Sequence, residues 1–409
     1  MSVATTAAAT SGLRIALAKP DFGIHGGFER VVDRIVAGLQ ADGHRVERIG
    51  VRRADRPRPV RGVEVDLRRW ERNSEFCTYA AMVEDFEALD ASEHDLVIST
   101  QPPSFAVGHD RHLSIFFHHH RVSYDLADVY VEAGFADPLV HGHMVAAVRA
   151  MDRPHLGAVT GFLAGSENVA DRIRRFQGRD PIGIFHAGVD DPGPPSPLPA
   201  SPGVLCISRQ EFPKRTELFV QAMHLLARSG IGVEGHLVGS GGRTAWIHEL
   251  DARLATESDP ATLTPTELWC NPGIPTASHP GTDPTARRKL RIWGRVDDHT
   301  LRDLMAASTC TVAPALDEDY GLTAIESMLA GRPVVVCDDG GGLTELVRDG
   351  IDGLVVAPTG EAIAAAVERL CSDPDQAAEM GAAGREAALA FNWDRALDEV
   401  RQGIEQVAA

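Results

Sequence analysis

Short unbroken apolar runs alternate along this chain with stretches whose apolar residues recur every three or four positions. Leu13-Arg14-Ile15-Ala16-Leu17-Ala18 predicts a strand, and Lys19 to Gly27 a loop carrying Pro20, Gly23, Gly26 and Gly27. A helix from about Phe28 to Ala41 follows, with Val31, Val32, Ile35, Val36 and Leu39 at helical spacing. The same grammar returns at Val204-Leu205-Cys206-Ile207, the loop Ser208 to Arg215, and a helix through Phe219 to Ala227. Further strands are predicted at 96–98, 113–117, 162–164, 182–185, 235–238, 310–313 and 333–337. Apolar runs without alternation suit parallel strands buried on both faces, so the fold class is α/β with two doubly wound, Rossmann-like domains.

The expected organisation is a tail at 1–12, an amino-terminal domain at 13–190, a linker at 191–203 and a second domain at 204–385. Pro192, Pro194, Pro195, Pro197, Pro199 and Pro202 stiffen the linker region. A Pro-, Thr- and Gly-rich insertion at about 257–288 interrupts the second domain. The stretch 386–409, amphipathic from Trp393 to Val407, is expected to pack back on the first domain. Two such domains facing one another would leave a central cleft at the carboxyl ends of both sheets.

Composition narrows the partners. With 409 residues and a formal net charge of −18 the chain is a poor nucleic-acid binder, which needs clustered Lys and Arg. One stretch, Arg45 to Arg72, is rich in arginine and could meet an anionic acceptor or a membrane surface, although a solvated loop face is the favoured reading. No apolar run approaches the roughly 20 residues that span a bilayer. Cys77, Cys206, Cys270, Cys310, Cys337 and Cys371 lack paired spacing and several sit in apolar runs, as expected of thiols in the cytoplasm.

The densest chemical signal runs from Pro314 to Glu326, from the end of a strand into a helix. Gly321 permits a tight turn, and the amides of Gly321, Leu322 and Thr323 at the helix start would face an anion such as a diphosphate. Glu318 precedes the turn and Glu326 falls about two turns into the helix, so one carboxylate can face a sugar and the other a ribose. Arg209 and Lys214 flank the turn after the second domain's first strand, where two cations could neutralise a leaving diphosphate. Gly26-Gly27 open a helix at the equivalent place in the first domain. His118-His119-His120 end a strand, but consecutive side chains diverge, so a substrate-hydroxyl contact by one of them outranks a metal site, and a structural role for the others outranks both.

These residues resemble a known family. Glu318-Asp319-Tyr320-Gly321-Leu322 through Glu326, followed by Ala330-Gly331-Arg332-Pro333, is similar to the Glu-x7-Glu signature of retaining glycosyltransferases of family 4, with the two-domain GT-B fold. The resemblance runs in order through Gly26-Gly27-Phe28, Gly165-Ser166-Glu167, Gly188-Val189-Asp190, Ser208-Arg209, Lys214-Arg215, Gly294-Arg295-Val296 and Gly340-Gly341-Gly342. It implies that Arg209 and Lys214 bind the donor diphosphate, Glu326 the ribose, and Glu318 the donor sugar. Tyr320 to Thr323 would line the donor, the Arg295-Val296 backbone would lie near the base, and Gly26 and Gly27 would meet phosphate. One histidine would contact the sugar, with His118 favoured because it follows the strand directly. Asp319 departs from the family's frequent glycine.

The implied activity is hexosyl transfer from a nucleoside-diphosphate sugar to an acceptor hydroxyl of a small molecule, glycan or lipid. The expected mechanism retains configuration and needs no metal or other cofactor, with membrane association not favoured. An epimerase on the same scaffold, or a non-catalytic sugar-nucleotide-binding protein, would carry much of the same pattern.

Overall fold

The computed structural model describes residues 12–23, 26–53, 56–256 and 290–409. Residues 1–11 of the expected tail and the whole of the 257–288 insertion, with Cys270, lie outside these. The chain divides into two compact units. One comprises residues up to Val129, Ala136–Gly188 and Trp393–Ala409, and the other Tyr130–Phe135 and Val189–Asn392.

Among the described residues the first unit holds a six-stranded sheet in the order β2-β1-β3-β4-β5-β6. Its strands are β1 (Arg14–Asp21), β2 (Arg45–Arg52), β3 (Leu96–Ser99), β4 (His112–Phe116), β5 (Gly161–Ala164) and β6 (Gly183–Ile184), all paired in parallel. The second sheet runs β12-β11-β10-β7-β8-β9. It is built from β7 (Gly203–Ile207), β8 (Glu234–Val238), β9 (Leu290–Gly294), β10 (Cys310–Ala313), β11 (Val334–Cys337) and β12 (Gly353–Val356), again in parallel.

Strands β3, β4, β5 and β11 are buried at every position, which is why they appear in the sequence as mainly apolar runs without polar alternation to solvent. The departure is β2. The start of the arginine-rich stretch is an edge strand rather than a loop, and its mostly exposed Arg-Val-Glu-Arg-Ile-Gly-Val-Arg pattern hides it. Part of the stretch's charge is matched by carboxylates outside it: Arg48 pairs with Asp33, Arg58 with Asp85 and Arg61 with Glu87, each at 2.7 Å.

The helix Gly27–Ala41 buries the five apolar residues expected of it. The carboxy-terminal helix Trp393–Ala408 buries Ala396, Val400, Gly403, Ile404 and Val407 within the first unit. A Cβ on Gly403 would lie 2.8 Å from Leu163, so glycine lets this helix approach β5. Arg401 bonds Asp42 through two nitrogens at 2.7 and 3.0 Å. In the second unit, Thr216–Arg228 is mostly buried, packed beside the helices Gly360–Ser372 and Thr244–Thr256. Fully burying one of its Leu, Val or Phe side chains contributes about 1.5–3 kcal/mol. Among the described residues Cys77, Cys206, Cys310 and Cys337 are buried free thiols, and no helix is long and apolar enough to cross a membrane.

Candidate functional site

In the second sheet β7 has β8 on one side and β10 on the other, so the loops after β7 and β10 leave in opposite directions. Ligands of doubly wound sheets bind at such switch points. The loop after β7 is Ser208–Arg215, and the loop after β10 is Pro314–Gly321. The structure joins them. Lys214 Nζ forms an ion pair with Glu318 Oε2, with both side chains about five-sixths buried. The Leu316 amide also donates to the Pro213 carbonyl at 2.8 Å.

Arg215 explains how these loops keep their places. Its φ of +47° puts it in the left-handed region and turns its side chain inward, away from the course of Lys214. The guanidinium donates to the carbonyls of Pro314 (2.9 Å) and Ala315 (3.2 Å) and grips both oxygens of Asp339 at 2.8 and 2.5 Å. One buried cation thus staples the loops after β7, β10 and β11. Sequence reasoning treated Arg215 only as the neighbour of Lys214.

Glu318 is fixed through its backbone. Its amide donates to the Gly340 carbonyl at 2.9 Å, and its carbonyl accepts from the Gly342 amide at 2.8 Å. A Cβ on Gly342 would lie 2.9 Å from the Asp319 carbonyl oxygen, so this approach requires glycine. Gly321 caps the helix Leu322–Leu329 with φ +104°. Glu326 therefore stands four residues into the helix, just over one turn rather than two, and is half-buried. Tyr320 is buried, and its ring lies 6.4 Å from that of Phe391. Leu322 and Thr323, the first helical residues, are half-buried.

Arg209 is exposed at the mouth of the β7 loop. Beneath it, the Gln210 side chain donates to the Gly239 carbonyl at 3.0 Å, and the Gly239 amide donates to the Gly294 carbonyl at 2.7 Å. The ends of β7, β8 and β9 are knitted in this way, which brings Arg295 and Val296 next to the same strand ends. Gly239, at φ +121°, has room for no Cβ: one would sit 2.0 Å from the Ser208 carbonyl oxygen.

Sequence reasoning missed a second cluster on this loop. Phe212 packs against Tyr130 (5.9 Å) and Phe135 (4.8 Å), and Arg243 lies over the Phe135 ring. Arg243 forms an ion pair with Glu217, which is 1% exposed. Burial outweighs that cation and pushes the Glu217 carboxyl up to about 7 from 4.5. Because the folded carboxyl holds its proton to higher pH than the unfolded one, folding takes up a proton in this window, and stability falls as pH rises from about 4.5 to 7. Glu217→Gln removes that component, so the urea midpoint of the variant varies less over this range than that of the wild type. An unchanged slope would refute the assignment.

In the first unit the structure brings Gly26, Gly27 and His118 into one neighbourhood. Phe28, in the first turn of the helix Gly27–Ala41, meets Phe117 edge to face at 5.0 Å, and His118 follows directly. The Gly26 amide already donates to Glu29 Oε2 at 2.9 Å in a capping interaction, so it is engaged within its own helix turn. The three histidines diverge. His118 is half-buried with Nδ1 2.7 Å from the His119 carbonyl oxygen. His119 is buried with Nε2 3.1 Å from the Gln177 amide nitrogen, and His120 Nδ1 lies 2.9 Å from Ser123 Oγ. Among the described residues no group of three His, Cys, Asp or Glu side chains is placed to hold a metal ion.

Residues 285–387, which include the Glu318–Glu326 stretch, match the family model of glycosyl transferases group 1. An α-maltose-1-phosphate synthase from Mycolicibacterium smegmatis is 37% identical over 29% of this chain and 33% of its own length. A D-inositol 3-phosphate glycosyltransferase from Streptomyces bingchenggensis is 28% identical over 59% of this chain and 51% of its own. The matches thus span from about a third to a half of these relatives. Among solved structures, sucrose-phosphate synthase from Thermosynechococcus elongatus superimposes with a TM-score of 0.68 at 20% identity, covering 95% of this chain and 98% of that one. The Anabaena protein HepE, solved with UDP and glucose, gives 0.63 at 16% identity over 95% and 98%. Residues 285–387 are thus similar to the glycosyl transferases of group 1, and the chain has the GT-B fold of two α/β units.

Proposed function

We propose that the protein transfers a sugar from a nucleoside-diphosphate sugar to an acceptor hydroxyl, with retention of configuration and without a metal ion. The observation that carries this reading is the Lys214–Glu318 ion pair at the switch point of the second sheet, beside the helix start at Gly321. Departure of a nucleoside diphosphate builds negative charge on phosphate and positive charge on the sugar. Lys214 and Arg209 stabilise the first change and a carboxylate such as Glu318 the second, from groups oriented before the reaction begins. Glu326 holds the ribose, the Gly321–Thr323 amides and Tyr320 line the donor, and the Arg295-Val296 backbone meets the base. Within the first unit, His118 is the residue proposed to contact a sugar and Gly27 a phosphate. The acceptor hydroxyl then attacks the face from which the diphosphate departs, and a leaving phosphate oxygen takes its proton. The three histidines serve no metal in this scheme.

Titration of unfolding with UDP, GDP and ADP and their sugars identifies the donor, since a ligand at a hundred times its Kd adds about 2.7 kcal/mol. Arg209→Ala and Glu326→Ala weaken that shift. Transfer continues in EDTA, and the product's anomeric proton coupling matches the donor's configuration. Undiminished transfer by Arg209→Ala, Lys214→Ala and Glu326→Ala together would overturn the site, and strong inhibition by EDTA would overturn the metal-free step.

A further inference from the structure

We propose that Asp152 is a positioning residue for His118, acting through two tyrosines that each hold one of the next two histidines. Asp152 lies on the helix Pro138–Ala158 and is fully buried. Its Oδ1 accepts from the Tyr79 hydroxyl and its Oδ2 from the Tyr124 hydroxyl, both at 2.9 Å. The two rings then diverge. Tyr124 stacks on His119 with centroids 4.3 Å apart and planes 25° apart, and Tyr79 lies on His120 at 4.3 Å and 36°. One carboxylate therefore sets two aromatic plates, and each plate fixes one imidazole of the turn after β4.

The same helix holds the turn's backbone. Arg149, nearly one turn before Asp152, donates to the Ser123 carbonyl at 2.8 Å and the Tyr124 carbonyl at 3.3 Å. His119 is also held from its other side by the edge-to-face Phe116 ring at 4.7 Å. Fixing His119 fixes its carbonyl oxygen, the atom 2.7 Å from His118 Nδ1. A carbonyl oxygen only accepts, so in the neutral ring Nδ1 carries the proton and Nε2 is the acceptor. The imidazole is thereby held in the tautomer whose Nε2 accepts.

A buried carboxylate is a costly way to pack a helix against a loop. Burial pushes Asp152 up to about 6 against the pull of its two hydroxyl bonds. An apolar side chain would fill the space at lower cost but could not orient two tyrosines at once. That geometry accounts for a carboxylate at this position.

The consequence for turnover rests on the transfer reading above, so the test has one arm that does not depend on it. Asp152→Asn keeps the shape but offers one carbonyl acceptor to two hydroxyls, and Tyr124→Phe keeps the stack on His119 while removing one bond. For Asp152→Asn, kcat falls about tenfold while the donor KM changes less than about twofold. The same change in a His118→Ala background has no further effect, as coupled residues in a double-mutant cycle should behave. Tyr124→Phe shows a smaller loss of the same kind. In imidazole nitrogen NMR spectra of the protein alone, His118 shows the Nδ1-protonated tautomer, and Asp152→Asn moves it towards a tautomer mixture. An additive loss in the cycle, or His118 nitrogen shifts unmoved by Asp152→Asn, overturns the positioning role. Absence of transfer by the wild type would instead refute the proposed function, and the nitrogen shifts would still decide the role of Asp152.

Discussion

Lys214→Ala lowers donor turnover by about 10²–10³-fold at saturating donor, the range expected when one preorganised electrostatic contact to a developing charge is lost. Two effects add in this variant. On the proposed function the leaving diphosphate loses a cation, and Glu318, about five-sixths buried, loses its ion-pair partner. Removing one member of a shielded pair costs more than removing both, because the remaining charge is stranded. The double variant Lys214→Ala with Glu318→Ala should therefore be less impaired than the product of the two single losses. Glu318→Gln keeps a hydrogen-bonding side chain of the same shape and should be milder than Lys214→Ala. Steady-state rates over a donor series, with unfolding midpoints measured in parallel, separate lost chemistry from lost folding. Turnover by Lys214→Ala within about threefold of the wild type would remove this lysine from the transfer step.

The pairing at the centre of that prediction was only partly legible in the sequence. Parallel strands such as β4 and β11 showed themselves because both of their faces are buried, and the residue types at 209, 214, 318 and 326 suggested a diphosphate and a carbohydrate. That Lys214 meets Glu318 across 104 positions depends on β7 and β10 being neighbours, which no local pattern encodes. Sequence reasoning assigned a role to Lys214 and left Arg215 as its neighbour. A backbone torsion separates them, sending Arg215 into the protein as a staple. The edge strand β2 was hidden because an edge carries polar residues where a central strand cannot. The tyrosines around Asp152 come from positions 79 and 124, on separate elements, and no sequence spacing links them.

Arg332→Met should destabilise the second unit by at least about 1–3 kcal/mol, the range for leaving one buried neutral acceptor unsatisfied. Arg332 is 1% exposed, yet its guanidinium meets carbonyl and hydroxyl oxygens rather than a carboxylate. It donates to Met305 O at 3.1 Å and Ala306 O at 3.2 Å, at the end of the helix Asp298–Ala306, where carbonyls lack partners within the helix. It also donates to Ser196 Oγ at 2.9 Å and Pro197 O at 3.2 Å, in the Pro-rich stretch. The preceding Gly331 has φ +71°, and a Cβ there would lie 2.9 Å from Pro195. The Gly331-Arg332-Pro333 turn therefore fastens the proline-rich segment to the unit in which Lys214 and Glu318 sit. Methionine would fill much of the volume and offer none of the four bonds. Lysine keeps a charge but cannot span acceptors on two sides, so Arg332→Lys should recover less than half of the loss. Denaturant midpoints for the two variants, with donor binding followed by the same titration, test this. A midpoint for Arg332→Met equal to the wild type would mean that the bonds to Ser196 and Pro197 contribute nothing. A loss of donor binding without a loss of stability would transfer Arg332 from the fold to the site.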